Sequence, residues 1–128
     1  MKILITDDSI GWIEYHLNNL KQALPENTLF DIAKSAKEGL DKIILNIDTP
    51  YDVIFTDMQM ESDFLPMYAG EWFIKQINTY KEYQNTIIVI ISAAPNIKTI
   101  AEKYNVEYLP KSMCQLKENY KKLFKTTF

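Results

Sequence analysis

At 128 residues and 47% apolar, the chain has material for one domain built on a single core, expected to span residues 1–128, and too little for two. Acids outnumber bases 17 to 14 and every base is Lys; a chain without Arg forks and with a pI near 5.1 is a poor candidate for direct nucleic-acid binding. No apolar stretch approaches the roughly 18 to 20 residues of a membrane span, Met1 leads straight into a strand pattern, and the single cysteine, Cys114, has no internal disulfide partner, so a soluble cytoplasmic protein is expected.

Apolar runs rich in β-branched residues recur at Ile3 to Ile5, Leu29 to Ile32, Val53 to Phe55, Ile87 to Ile91 and Val106 to Leu109. Segments with helical spacing lie between them. In the first, Ile10, Ile13, Leu17, Leu20 and Leu24 share a face that ends before Pro25; in the second, Leu40, Ile43, Ile44 and Ile47 do so before Pro50. The third runs from about Gly70 to Tyr83 with Phe73, Ile74 and Ile77 inward. A short fourth covers about Ile97 to Tyr104, and a fifth uses Leu116, Tyr120 and Leu123. Strand and helix thus alternate along the whole chain, which predicts an α/β domain with a parallel sheet covered by helices on both faces. The last helix runs into the terminus, so no output domain is expected to follow.

In such sheets ligands bind in the crevice at the carboxyl ends of the strands. Asp7 and Asp8 end the first apolar run and Asp57 ends the third, so three acids are expected to share that crevice. Like charges held close raise one another's pKa values unless a cation sits between them, and oxygen-only ligation suits Mg²⁺, which binds phosphate oxygens. The combination points to phosphoryl chemistry.

Ser92 follows the fourth run and Lys111 the fifth. With Asp7 and Asp8 after the first predicted strand, Asp57 after the third, Ser92 after the fourth and Lys111 after the fifth, the chain resembles a receiver domain of the bacterial response-regulator family, of the single-domain chemotaxis type. The resemblance covers essentially the whole chain. It implies a flavodoxin-like, doubly wound (βα)5 fold with five parallel strands in the order 2-1-3-4-5. It implies Asp57 as the phosphoacceptor, a carboxylate nucleophile that becomes an acyl phosphate. Asp8, Asp57 and the backbone carbonyl of Gln59 would hold Mg²⁺, with Asp7 acting directly or through a water. Lys111 and the Ser92 hydroxyl would engage phosphoryl oxygens. Ser92 and Tyr108 would form the switch. The implied partners are a histidine kinase or histidine phosphotransfer protein and an unknown downstream protein; no nucleic acid or membrane is implied. Apart from catalysing its own phosphorylation and dephosphorylation, such a protein is not an enzyme.

Each residue also has a plainer reading. The Asp pair and Ser9 suit a helix N-terminus, and Asp57 suits a turn. His16, the lone histidine, is expected on the solvated side of the first helix; Cys114 is expected as a small, partly buried hydrophobe. Lys117, Lys121, Lys122 and Lys125 read as a solvated helix face.

The pattern departs from the family in three places. Twelve residues from Met58 to Ala69 separate Asp57 from Gly70, a long connection that carries Glu61, Asp63 and a cluster of Phe64, Leu65, Met67 and Tyr68. The stretch from Ser92 to Lys111 is short, and Ser112 stands where the family usually has Pro. The rival readings are a phosphate-independent pseudo-receiver, a small phosphatase with an Asp nucleophile, whose first two acids would be separated by one residue, and a flavin carrier, for which the acidic first loop is unsuited.

Overall fold

In a computed structural model, residues 1–60, 68–114, 119–120 and 122–123 are described. Strands β1 (Lys2–Thr6), β2 (Leu29–Ala33), β3 (Val53–Asp57), β4 (Ile87–Ser92) and β5 (Glu107–Pro110) alternate with helices α1 (Ile10–Ala23), α2 (Ala36–Leu45), α3 (Ala69–Ile77) and α4 (Ile97–Tyr104). The strands form one parallel sheet in the order β2-β1-β3-β4-β5, the expected flavodoxin-like arrangement. Chain order reverses between β1 and β3, which places the crevice at their carboxyl ends.

Period-two alternation divides the apolar residues between two layers. Ile3, Ile5, Val53, Phe55, Val89 and Ile91 pack with Ile13, Leu20, Cys114 and Tyr120 on one face. Leu4, Ile54, Ile88 and Ile90 pack with Ile43, Phe73, Ile74, Ile77 and Ile100 on the other. The central strands are covered on both sides, which is why β3 and the end of β4 read as unbroken apolar runs. Ser9 and Ser35 cap α1 and α2 by accepting from the N–H groups of Trp12 and Glu38 at 3.3 and 3.0 Å. Asn105, with φ at 55°, closes α4 in the left-handed conformation that Asn tolerates.

Three expectations need correction. Helix α3 stops at Ile77, and Lys81–Tyr83 form a separate 3₁₀ turn. There the Thr79 hydroxyl donates to the Gln76 carbonyl at 2.7 Å, and the buried Tyr83 donates to the Ile43 carbonyl at 2.9 Å, so local bonds replace helix continuation. Ile10 and Ile44 are 59% and 47% exposed although both sit on predicted apolar stripes. The buried row of α2 is Ala36, Gly39 and Ile43, because Gly39 admits the Phe73 ring, and this rotates Ile44 outward. Cys114 is fully rather than partly buried. Among the members of the predicted fifth helix, Asn119, Tyr120, Lys122 and Leu123 are helical. Leu116, Lys117, Lys121, Lys125, Glu61, Asp63, Phe64, Leu65 and Met67 lie outside the described residues.

Gly70 fixes how the chain re-enters the fold after β3. Its N–H donates to the Met58 carbonyl at 2.9 Å, and a Cβ there would lie 2.4 Å from the Asp57 carbonyl oxygen and 2.6 Å from Met58 Cα. Backbone cannot yield as a side-chain tip can, so Gly70→Ala should destabilise by about 2 kcal/mol or more in urea unfolding. Gly11→Ala, whose Cβ would meet only Ser9 Oγ at 3.9 Å, should be neutral or stabilising by up to ~1 kcal/mol. Equal effects at the two positions would disprove the close approach at Gly70.

Candidate functional site

Register builds the site. Thr6 pairs with Thr56, so the next residues, Asp7 and Asp57, leave β1 and β3 at one level. Asp57 pairs with Ile91, Ser92 pairs with Pro110, and Lys111 follows at once. Each of the five sequence-predicted residues thus stands at or just beyond a strand end along one rim of the sheet.

Carboxylate oxygens of Asp7, Asp8 and Asp57 lie within 4.8 Å of one another. Asp7 and Asp57 are buried, whereas Asp8 is exposed. Asp7 Oδ1 accepts from the Ser9 N–H at 2.9 Å, so the start of α1 both caps the helix and orients the acid. Lys111 Nζ lies 3.5 Å from Asp57 Oδ2 and 3.9 Å from Asp7 Oδ2. It also sits 4.9 Å from the centroid of the Trp12 ring, an arrangement that steadies an ammonium group by the ring's negative face. Gln59 is exposed, and its N–H reaches Asp57 Oδ1 at 3.5 Å. Ser92 is buried, with Oγ accepting from the Ala94 N–H at 3.0 Å. Ser92 and Lys111 line a cavity of about 280 Å³ together with Pro95, Ile97 and Ser112. Tyr108 is half-buried against the core layer that holds Ile90 and Ile97.

His16 is not solvated. It is 1% exposed, lies in the inward row of α1 with Ile13 and Leu20, and stacks on Trp12 with ring centroids 5.5 Å apart. Its Nδ1 is 2.7 Å from the Tyr120 hydroxyl and its Nε2 is 3.9 Å from Asp7 Oδ2. A polar side chain can occupy an apolar stripe where a buried partner meets it, as the Tyr120 hydroxyl does here, and its spacing of three residues from Ile13 and four from Leu20 was the sequence signal. Trp12, four residues beyond Asp8, was missed as well. One turn of α1 carries Ser9 and Trp12 to the acids, and the next brings His16.

Burial is the main electrostatic force here. It raises the Asp57 pKa to about 6, with Asp7 adding to the rise and Lys111 opposing it. It also raises Asp7, against the Ser9 N–H and Lys111. Burial, then the Lys111 charge, lower His16 to about 4, so its approach to Asp7 is that of a neutral ring and not of an ion pair. Asp7 Oδ2 is buried with no hydrogen-bond partner among the described residues. Three carboxylates, one with an orphaned oxygen, form an oxygen-only donor set that fits Mg²⁺.

These shifts give stability opposing pH dependences. Asp57 binds its proton more tightly folded than unfolded, so its contribution falls as pH rises from about 4 to about 6, leaving an ionised group that costs on the order of 3 kcal/mol above that window. His16 runs the other way: its folded pKa is depressed, so its contribution is lost as pH falls from 6.5 to about 4. In metal-free buffer Asp57→Asn should therefore be more stable than the parent at pH 7 by up to that amount, with the gain vanishing near pH 4. Denaturant midpoints across this range provide the check; parallel curves for parent and variant would refute the shift.

No protein-family model matches the chain, and no curated protein matches it. Solved structures do. The chemotaxis response regulator CheY4 of Vibrio cholerae is 22% identical at a TM-score of 0.74, over 99% of this chain and 98% of that one. The receiver domain of the Francisella response regulator 1452 is 25% identical at a TM-score of 0.67, over 98% and 94%. The response regulatory domain of mrkE from Klebsiella pneumoniae is 16% identical at 0.76, over 99% and 94%. This chain has the receiver-domain fold of response regulators, with its acidic rim at the crevice where that fold binds ligands.

Proposed function

We propose that the chain is a stand-alone response-regulator receiver, phosphorylated on Asp57 by a histidine kinase or histidine phosphotransfer protein, that signals by changing its binding to a downstream protein. The observation that carries the reading is the convergence of three carboxylates with Lys111 Nζ 3.5 Å from Asp57 Oδ2. A structural ion pair needs one acid, whereas this site collects three beside one lysine. An Asp57 oxygen attacks phosphorus, the P–N bond of the donor's phosphohistidine breaks, and the imidazole leaves with a proton, giving an acyl phosphate. Lys111, held between Asp57 and the Trp12 face, meets the added negative charge. Asp7, Asp8 and Asp57 would hold Mg²⁺ with the Gln59 carbonyl; when bound, the ion neutralises charge on phosphoryl oxygens. The Ser92 hydroxyl, on exchanging its Ala94 N–H for a phosphoryl oxygen, would draw Tyr108 with it. The protein turns over only its own acyl phosphate and is no enzyme otherwise. Among the described residues no helix is long and apolar enough to cross a membrane, and a cytoplasmic location suits a kinase partner.

Intact mass after incubation with a small phosphodonor and Mg²⁺ should show a gain of one phosphoryl group, absent in Asp57→Ala. No gain in the parent would leave the phosphate-independent pseudo-receiver as the better reading.

Asp8→Ala should abolish Mg²⁺ binding by calorimetry while the metal-free protein stays folded and at least as stable, since one of three mutually repelling charges is gone. A clear loss of metal-free stability would instead make Asp8 a structural cap.

A further inference from the structure

We propose that His16 is a positioning residue for Asp7: its Nε2–H holds the Asp7 carboxylate in its metal-binding orientation, and the Tyr120 hydroxyl fixes the ring tautomer that makes this possible. The role rests on the receiver reading for its purpose and on geometry for its form.

Asp7 Oδ2 and His16 Nε2 are both buried, both lack a hydrogen-bond partner among the described residues, and face each other at 3.9 Å. Two orphaned atoms of complementary type at that distance are about 1 Å from a charge-assisted hydrogen bond. The other oxygen of Asp7 is already held by the Ser9 N–H, so a donor on Oδ2 completes the orientation of the group. Ligating carboxylates are in general hydrogen-bonded by such outer partners.

The tautomer follows from the two neighbours. A neutral ring carries one N–H. Were it on Nδ1, Nε2 would present a lone pair to a carboxylate oxygen, and both atoms would repel. With the proton on Nε2, Nδ1 accepts the Tyr120 O–H across the 2.7 Å contact and Nε2–H points at Asp7. Cys114, Asn19 and Tyr15 also lie near the Tyr120 hydroxyl; the Asn19 amide N–H can only donate to the hydroxyl oxygen, and the Cys114 sulfur is a far weaker acceptor than an imidazole nitrogen, which leaves Nδ1 as the acceptor for the Tyr120 O–H. Stacking on Trp12 at an interplanar angle of 28° and contact with the Tyr120 ring hold the imidazole plane. The chain of contacts therefore runs from the acid site through α1 to the helical residues around Tyr120, apart from Ser92 and Tyr108 on β4 and β5.

Nitrogen NMR of the His16 ring should show Nε2 protonated and Nδ1 bare; the opposite tautomer overturns the proposal. Mg²⁺ titration by calorimetry, which reads no catalytic turnover, then separates a positioning role from packing. His16→Leu should weaken Mg²⁺ binding about tenfold, and Tyr120→Phe several-fold, although Tyr120 lies outside the acid cluster. His16→Gln, whose side-chain N–H₂ can replace Nε2–H, should recover most of the affinity. Equal affinity in parent, His16→Leu and Tyr120→Phe overturns the role of His16 while leaving the receiver reading intact. A parent that binds no Mg²⁺ overturns both. Should His16→Leu fail to fold, the comparison of Tyr120→Phe with the parent decides alone.

Discussion

The structure depends on two carboxylates buried at adjacent strand ends. The register that pairs Thr6 with Thr56 is set by the apolar faces of β1 and β3, and it leaves Asp7 and Asp57 at one level with no freedom to separate. Burial and mutual repulsion both raise Asp57, so the packed core that stabilises the sheet also forces an unfavourable charge arrangement at its rim. Lys111 offsets part of this from the end of β5, at 3.5 and 3.9 Å from the two acids. An ammonium at those distances relieves the repulsion without a tight pair, which leaves the oxygens open to a second cation. A cation between such carboxylates would relieve the repulsion that burial enforces.

Helix α1 is the other half of the arrangement. Ser9 caps it and positions Asp7; Trp12 lies under the Lys111 ammonium; His16, one turn on, approaches Asp7 from the core side. The spacing of Ser9, Trp12 and His16 places all three on the side of the helix that meets the crevice. The same helix therefore secures an acid, a cation and the packing of one core layer.

The parallel sheet with helices on both faces and the five rim residues were legible because they follow from strong signals, whereas the strand order came from the resemblance to receiver domains. Long apolar runs with β-branched residues fix strands, alternation with helical segments fixes a parallel sheet, and a parallel sheet sends its strand ends to one rim. His16 was not legible in the same way. Its position belongs to the row of Ile13 and Leu20, but a polar residue in an apolar row is read as exposed unless its partners are known, and Tyr120 lies 104 residues away. Ile10 and Ile44 failed for the converse reason: periodicity identifies a stripe but not its edge, and in α2 the edge is set by Gly39 meeting Phe73, a contact between separate helices. Local pattern reports which residues can be buried; tertiary approach decides which are.

The unusual length after β3 can be reconciled with a site that needs precise placement. Gly70 binds the Met58 carbonyl through its N–H, and the absence of a Cβ lets α3 begin against the backbone of Asp57 and Met58. The two ends of the connection therefore meet directly beside Asp57. Entropy of closure rises only slowly with loop length, by about 0.6 kcal/mol per doubling, so residues added between two pinned ends cost little. The register of β3 sets the level of Asp57, and the joint at Gly70 holds the start of α3 against its backbone. A chain can in this way lengthen the connection after Asp57 while the carboxylates, Lys111 and the start of α3 keep their mutual geometry.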